Sequence, residues 1–213
     1  MDLNEWGGSL IRRVQTESNA LAAERLEFSI FYSPLRLNPK LLIVGDNPGG
    51  PMEQRGLYKI PDRHEYLFID PKDDYKMAKM MREKIMAGQI LEPILRESVK
   101  TNRIFFRTRN LREFGALQNQ KAMVLYCKNI LREIILTIRP LNILAESLGT
   151  FRSLSATELP ILVKSESGKC LLVRGEYEGI PVYGINHPSR ASYHRINDND
   201  WADVSRALED LFR

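Results

Sequence analysis

The stretch LLIVGDNPGG, residues 41–50, decides the fold. Leu41, Leu42, Ile43 and Val44 form a continuous apolar run, the pattern of a strand buried on both faces of a parallel sheet. The run ends on Gly45, then an acid, an amide and the turn Pro48-Gly49-Gly50. A tight turn accounts for those residues, and so does a pocket floor, because glycines let backbone approach a flat polar ligand closely.

Outward from this strand, the apolar pattern alternates between strands and helices. Residues 1–26 read as one or two helices, with Leu10, Ile11, Val14, Leu21 and Ala22 at helical spacing. Residues 27–38 read as irregular and aromatic, and 46–72 as a long loop of the kind that carries function. A helix is expected over 73–87, with Met77, Met80, Met81 and Ile85 as its core stripe and Gly88 at its end. Ile104–Phe106 reads as a short strand. The clearest helix runs over 119–138, with Val124, Cys127, Leu131, Ile134 and Ile138 on one face and Pro140 as its stop. Leu141–Ala145 is the next strand. Cys170–Val173 and Ile180–Ile185 flank GEYEG as a hairpin or two paired edges. Asp200 is expected to cap a last helix that faces inward with Trp201, Val204, Leu208 and Leu211.

This alternation predicts an α/β protein with a mainly parallel sheet. One domain over 1–213 is expected, with an N-terminal helical segment at 1–38 and a core at 39–213. The 213 residues are 43% hydrophobic and 27% charged, ordinary for a globular chain. No apolar run approaches the roughly 20 residues of a membrane span, and the N-terminus lacks a signal peptide's apolar core. A cytoplasmic protein with no membrane partner is therefore expected. Cys127 and Cys170 have no metal-ligand spacing and read as free thiols. With only three histidines, no metal site and no cofactor is expected. G-x-S-x-G, P-loop and G-x-G-x-x-G signatures are absent, which removes the common hydrolase and nucleotide motifs. The net charge of +4 and pI of about 9.1 suit a polyanionic partner.

Ligands of open α/β sheets bind beyond the carboxyl ends of the strands. That rule selects two loops: Gly45-Asp46-Asn47-Pro48-Gly49 and Asn186-His187-Pro188-Ser189. Asn47 before proline, or His187 alone, carries little information. Both at strand ends, in this order, carry more.

The two motifs together resemble those of the uracil-DNA glycosylase superfamily. The first resembles the G-x-N-P-G of its mismatch-specific and single-strand-selective branches. The second resembles the H-P-S of its best-known and single-strand-selective branches. The resemblance covers residues 40–212. It implies three layers, α/β/α, around a central, mainly parallel sheet of four strands, and hydrolysis of the N-glycosidic bond of uracil or a related damaged base in single- or double-stranded DNA. It implies that Asn47 positions the attacking water and that His187 donates to the base O2, with the N–H of Asp46 adding to that charge stabilisation. The base, flipped out of the helix, would stack on an aromatic about ten residues after the first motif, where Tyr58 stands, although a half-buried loop tyrosine reads as well. An Asn at the end of the second strand would read the base edge; RIFFRTRNLREF offers Asn110, with Thr108 as rival. Ser189, Arg190 and Ser192 are the expected DNA-binding residues, the two serines as phosphate contacts. Arg103, Arg107, Arg109 and Arg112 suit either a phosphate grip or a solvated edge. The chain departs from the family after H-P-S, where Arg190-Ala191-Ser192 replaces Pro-Leu-Ser. Ala191 is too small for a wedge, which leaves Arg190 or Tyr193 for that role. The alternative function is a non-catalytic nucleic-acid or nucleotide binding protein of the same fold.

Overall fold

A computed structural model describes residues 2–21, 26–49, 55–67, 75–155, 158–188 and 196–213. It is an α/β protein built on one six-stranded mixed sheet. The elements, in chain order, are α1 (Leu3–Leu21), β1 (Leu42–Gly45), α2 (Lys76–Met80) running into a π-turn (Met81–Ile85), α3 (Leu91–Glu97), β2 (Val99–Asn102), α4 (Leu111–Gly115), α5 (Gln120–Ile138), β3 (Ile143–Ala145), α6 (Leu148–Leu154), β4 (Glu158–Lys164), β5 (Cys170–Tyr177), β6 (Ile180–Ile185) and α7 (Asp198–Phe212).

The strand order is β2-β1-β3-β6-β5-β4. β1 pairs in parallel with β2 and β3, and β3 with β6, so four strands run the same way. β5 and β4 then extend the sheet antiparallel. The expected four-stranded sheet is thus corrected to six strands of mixed direction. The β5–β6 hairpin closes through Glu178 (φ 49°) and Gly179 (φ 84°), two left-handed residues whose twist matches the strands they join.

β1 is buried on both faces, as its continuous apolar run requires. Leu42 and Val44 pack with Leu10 and Val14 of α1 and Ile134 and Ile138 of α5. Leu41 and Ile43 pack on the other side with Met81, Leu95 of α3, and Trp201 and Leu208 of α7. Helices therefore cover both faces. α5 ends at Arg139, left-handed at φ 52°, just before Pro140. α7 starts one turn before the expected cap. Asn197 is its N-cap, and Asp200 is the third helical residue of a reciprocal capping box.

Residues 27–38 are irregular and aromatic, as read from the sequence; Phe28 and Phe31 form isolated bridges to Phe106 and Thr101 and lie buried against the sheet edge. One segment differs from expectation in kind. Ile104–Phe106 is buried but has only that one bridge. The second strand lies earlier, at Val99–Asn102. Among the described residues no helix is long and apolar enough to cross a membrane. Cys127 is a buried free thiol and Cys170 a half-buried one.

Candidate functional site

Four parallel strands deliver four loops to one rim. Across it, the order is Asn102 at the end of β2, Asp46 and Asn47 after β1, Glu146 after β3, and Asn186 and His187 after β6. The two sequence motifs thus leave the same side of the sheet, with one strand end between them.

Asn47 is half-buried. Its side-chain nitrogen donates to the Thr108 carbonyl at 3.1 Å and to the Thr108 hydroxyl at 3.0 Å. With both amide protons engaged, the carbonyl oxygen is what this side chain has left to offer a ligand. That oxygen is an acceptor, the polarity needed to hold a water. Asp46 faces other partners: its carboxylate accepts from Thr150 Oγ1 at 2.6 Å and Arg103 Nε at 3.0 Å. Burial works against the charge, but Thr150 and Arg103 outweigh it and hold the carboxyl below the usual range. Arg103 is thus engaged inside the protein. So is buried Arg107, whose guanidinium donates to the Gly49 carbonyl and clamps the motif loop. Arg109 and Arg112 are the two exposed members of that arginine cluster.

Tyr58 is 42% exposed. Its ring meets Phe28 edge-on at 5.1 Å, and its hydroxyl donates to Glu27. Burial and the neighbouring Glu27 push its phenol up to about 12. Glu27 also accepts from the Gly56 N–H, and Ser29 Oγ from the Leu57 N–H, so the stretch before Tyr58 is pinned to residues 27–29.

Asn110 is exposed and caps α4, its side chain accepting from the backbone N–H of Arg112 and of Glu113, each at 3.0 Å. Its side chain is occupied with the helix, while its carbonyl accepts from Thr108 Oγ1 at 3.0 Å. Thr108, its rival, is buried and holds Asn47. His187 is half-buried on the rim. Ser189, Arg190 and Ser192, with Ala191 and Tyr193, lie outside the described residues.

The residue at the end of the second strand is Asn102, which the sequence reading passed over. It is only 4% exposed, and among the described residues its side chain makes no hydrogen bond. It leans over Gly45, its register partner on β1. A methyl group added at Gly45 would collide with Asn102 Oδ1 and would lie 2.6 Å from Glu146 Oε2. Gly45 is therefore required for room, because two polar side chains from flanking strands converge above it.

Glu146 belongs to a buried ionic cluster on that face. Lys100 Nζ lies 2.8 Å from Glu65 Oε1 and 3.6 Å from Glu146 Oε2. The ammonium sits 4.9 Å and 4.8 Å from the ring centres of Tyr32 and Tyr66. The Tyr66 hydroxyl donates to Glu146 Oε1. Burial opposes the charge on Lys100, yet the two glutamates dominate and keep it an ammonium. Glu146 is also shifted upward, which here disfavours its charge: burial raises its carboxyl above the usual range against the pull of Lys100 and Tyr66, and Glu65 adds to the rise. One cation shared between two carboxylates accounts for both: the ammonium is strongly held, while each carboxylate has only part of a counter-charge. Beside this cluster, His64 accepts from the Tyr66 N–H at Nδ1 (3.1 Å) and pairs through Nε2 with Ser98 Oγ (3.0 Å). Burial, helped by Lys100, lowers it to about 3, so the imidazole is neutral.

Among the described residues no group of three His, Cys, Asp or Glu side chains is placed to hold a metal ion. No family model matches the chain, and no curated protein matches it.

Proposed function

We propose that the protein is a DNA glycosylase of the uracil-DNA glycosylase-like fold, hydrolysing the N-glycosidic bond of uracil or a related damaged base. The observation that carries this reading is the shared rim: Asn47, Asn102 and His187 leave the ends of three parallel strands on one side of the sheet. In this reading the Asn47 carbonyl oxygen orients the attacking water while Thr108 holds the amide in place. His187 donates to the base O2 as the departing base takes up the bonding electrons. Asn102 takes the base-reading role in place of Asn110. Tyr58 offers a ring for stacking, and the excess of positive charge favours DNA.

The test is an excision assay on single- and double-stranded oligonucleotides with one lesion each, beginning with uracil and extending to hypoxanthine, xanthine and mismatched thymine. Alkali cleaves any abasic site formed. Asn47→Ala and His187→Ala are each expected to lower the rate by about a hundredfold or more, the first through loss of water positioning and the second through loss of a transition-state donor. DNA binding with no abasic product on any lesion would replace the enzyme by the non-catalytic binding protein.

A further inference from the structure

We propose that Glu146 reads the flipped base together with Asn102, and that the pocket selects a damaged base that keeps an exocyclic amino group over its oxo counterpart. The inference rests on the glycosylase reading. Three observations carry it. β3 is the strand between those bearing Asn47 and His187, so Glu146 stands at the rim between the two motifs. Its Oε2 and the Asn102 Oδ1 converge from opposite sides over Gly45, where the missing side chain leaves them room. The carboxylate is held in place rather than used up. A carboxylate has about four acceptor sites, and Tyr66 and Lys100 each approach one oxygen.

The chemistry follows from this pairing. Asn102 can both donate and accept, so it tolerates either a ring nitrogen or a ring N–H. A carboxylate only accepts. Opposite Glu146, a base carbonyl would leave two acceptors facing each other in a desolvated site, whereas an amino group donates. A site built to receive a hydrogen bond rejects the analogue that cannot make it, by far more than a missing methylene would cost.

Two lesions that differ only at this edge provide the test: 5-hydroxycytosine, with an amino group at ring position 4, and 5-hydroxyuracil, with a carbonyl there. Single-turnover excision from matched single-stranded oligonucleotides is measured for the full chain and for Glu146→Gln. Calorimetry on the two free bases gives a second ratio that needs no catalysis. The unaltered protein is expected to favour the amino base at least tenfold. Gln at 146 can donate to a carbonyl, and should bring the ratio to unity or reverse it. An oxo preference in the unaltered protein, the result expected of a protonated Glu146, overturns the proposal, as does a ratio that Glu146→Gln leaves unchanged. If the variant does not melt cooperatively, the ratio for the unaltered protein decides alone. Excision of uracil with no amino preference sinks this inference only. No excision and no binding of any base sinks the glycosylase reading with it.

Discussion

Gly56→Ala is a sensitive probe of how the site is held. The segment 56–58 packs backbone to backbone on residues 27–29. A methyl group at Gly56 would collide with the Phe28 carbonyl oxygen and lie 3.0 Å from the Phe28 carbonyl carbon and nitrogen. Main chain cannot swing aside as a side-chain tip can, so the two segments must separate. Separation breaks the Gly56 N–H bond to Glu27, at 2.8 Å, and the Leu57 N–H bond to Ser29 Oγ, at 2.9 Å. A hydrogen bond to a charged group contributes about 1.5–3 kcal/mol and a neutral one about 1 kcal/mol. Replacing glycine returns about 0.4–1 kcal/mol by stiffening the unfolded chain. The net loss is about 2–3 kcal/mol, or about 4–12 °C in Tm for a chain of this size.

Thermal melting combined with hydrogen exchange of the peptide spanning 55–60 reads both the global loss and the local release. Tyr58 moves with the segment, so excision should fall about tenfold through lost stacking. Gly49→Ala is the control in the same region, because a methyl group there meets nothing within 4 Å and should change stability by no more than about 0.5 kcal/mol. A Gly56→Ala protein with unchanged Tm and unchanged exchange at 55–60 would refute the reasoning.

Two further substitutions test the buried cluster and its neighbour. Lys100→Met leaves Glu65 and Glu146 without their cation and should cost about 3–5 kcal/mol in urea unfolding, while adding Glu146→Gln should restore at least about 1 kcal/mol. His64 is neutral when folded but titrates near 6.5 when unfolded, so the unfolded state binds the extra proton and stability falls as pH drops from 6.5 toward 3. Glu146, raised by burial, acts in the opposite direction as pH drops. The His64 effect is therefore read as a difference: the stability gap between the unaltered protein and His64→Gln should narrow by about 2 kcal/mol between pH 7 and pH 5, and a constant gap would count against a buried neutral imidazole.

What could be read from the sequence was whatever buries apolar surface in a regular pattern. β1, β3, α5 and the β5–β6 hairpin all do so, and each lies close to its expected place. β2 does not. Its four residues, Val-Lys-Thr-Asn, are all buried, yet two of them face an ionic cluster rather than an apolar core. No periodicity rule marks such a strand, and the apolar Ile104–Phe106, just past its end, drew the assignment instead. That shift is why Asn110 and Thr108 were the candidates and Asn102 was passed over. β4 was missed for another reason: it is an edge strand with Pro160 in it and three register irregularities against β5, features that only an edge tolerates. Glu146 carried no signal in the sequence, because its partners Lys100 and Tyr66 are distant along the chain.

The ionic cluster ties the rim to the rest of the fold. Tyr66 and Glu65 come from the segment that follows the Tyr58 loop, and both reach the sheet through Lys100 or Glu146. The same segment is anchored by the Glu65 N–H to the Tyr32 carbonyl, and by His64 to Ser98. A carboxylate placed between the two motif loops would be too costly to bury alone, so it needs a cation, and Lys100 needs the flanking tyrosine faces and Glu65 in turn. Gly45 is then constrained by Asn102 and Glu146 above it rather than by its own backbone. The polar rim therefore requires several otherwise unremarkable residues, and substitutions at Glu65 or Tyr66 should disturb base selection as well as stability. A purely structural ion pair would couple to stability alone, and the excision ratio of the two 5-hydroxypyrimidines separates the two cases.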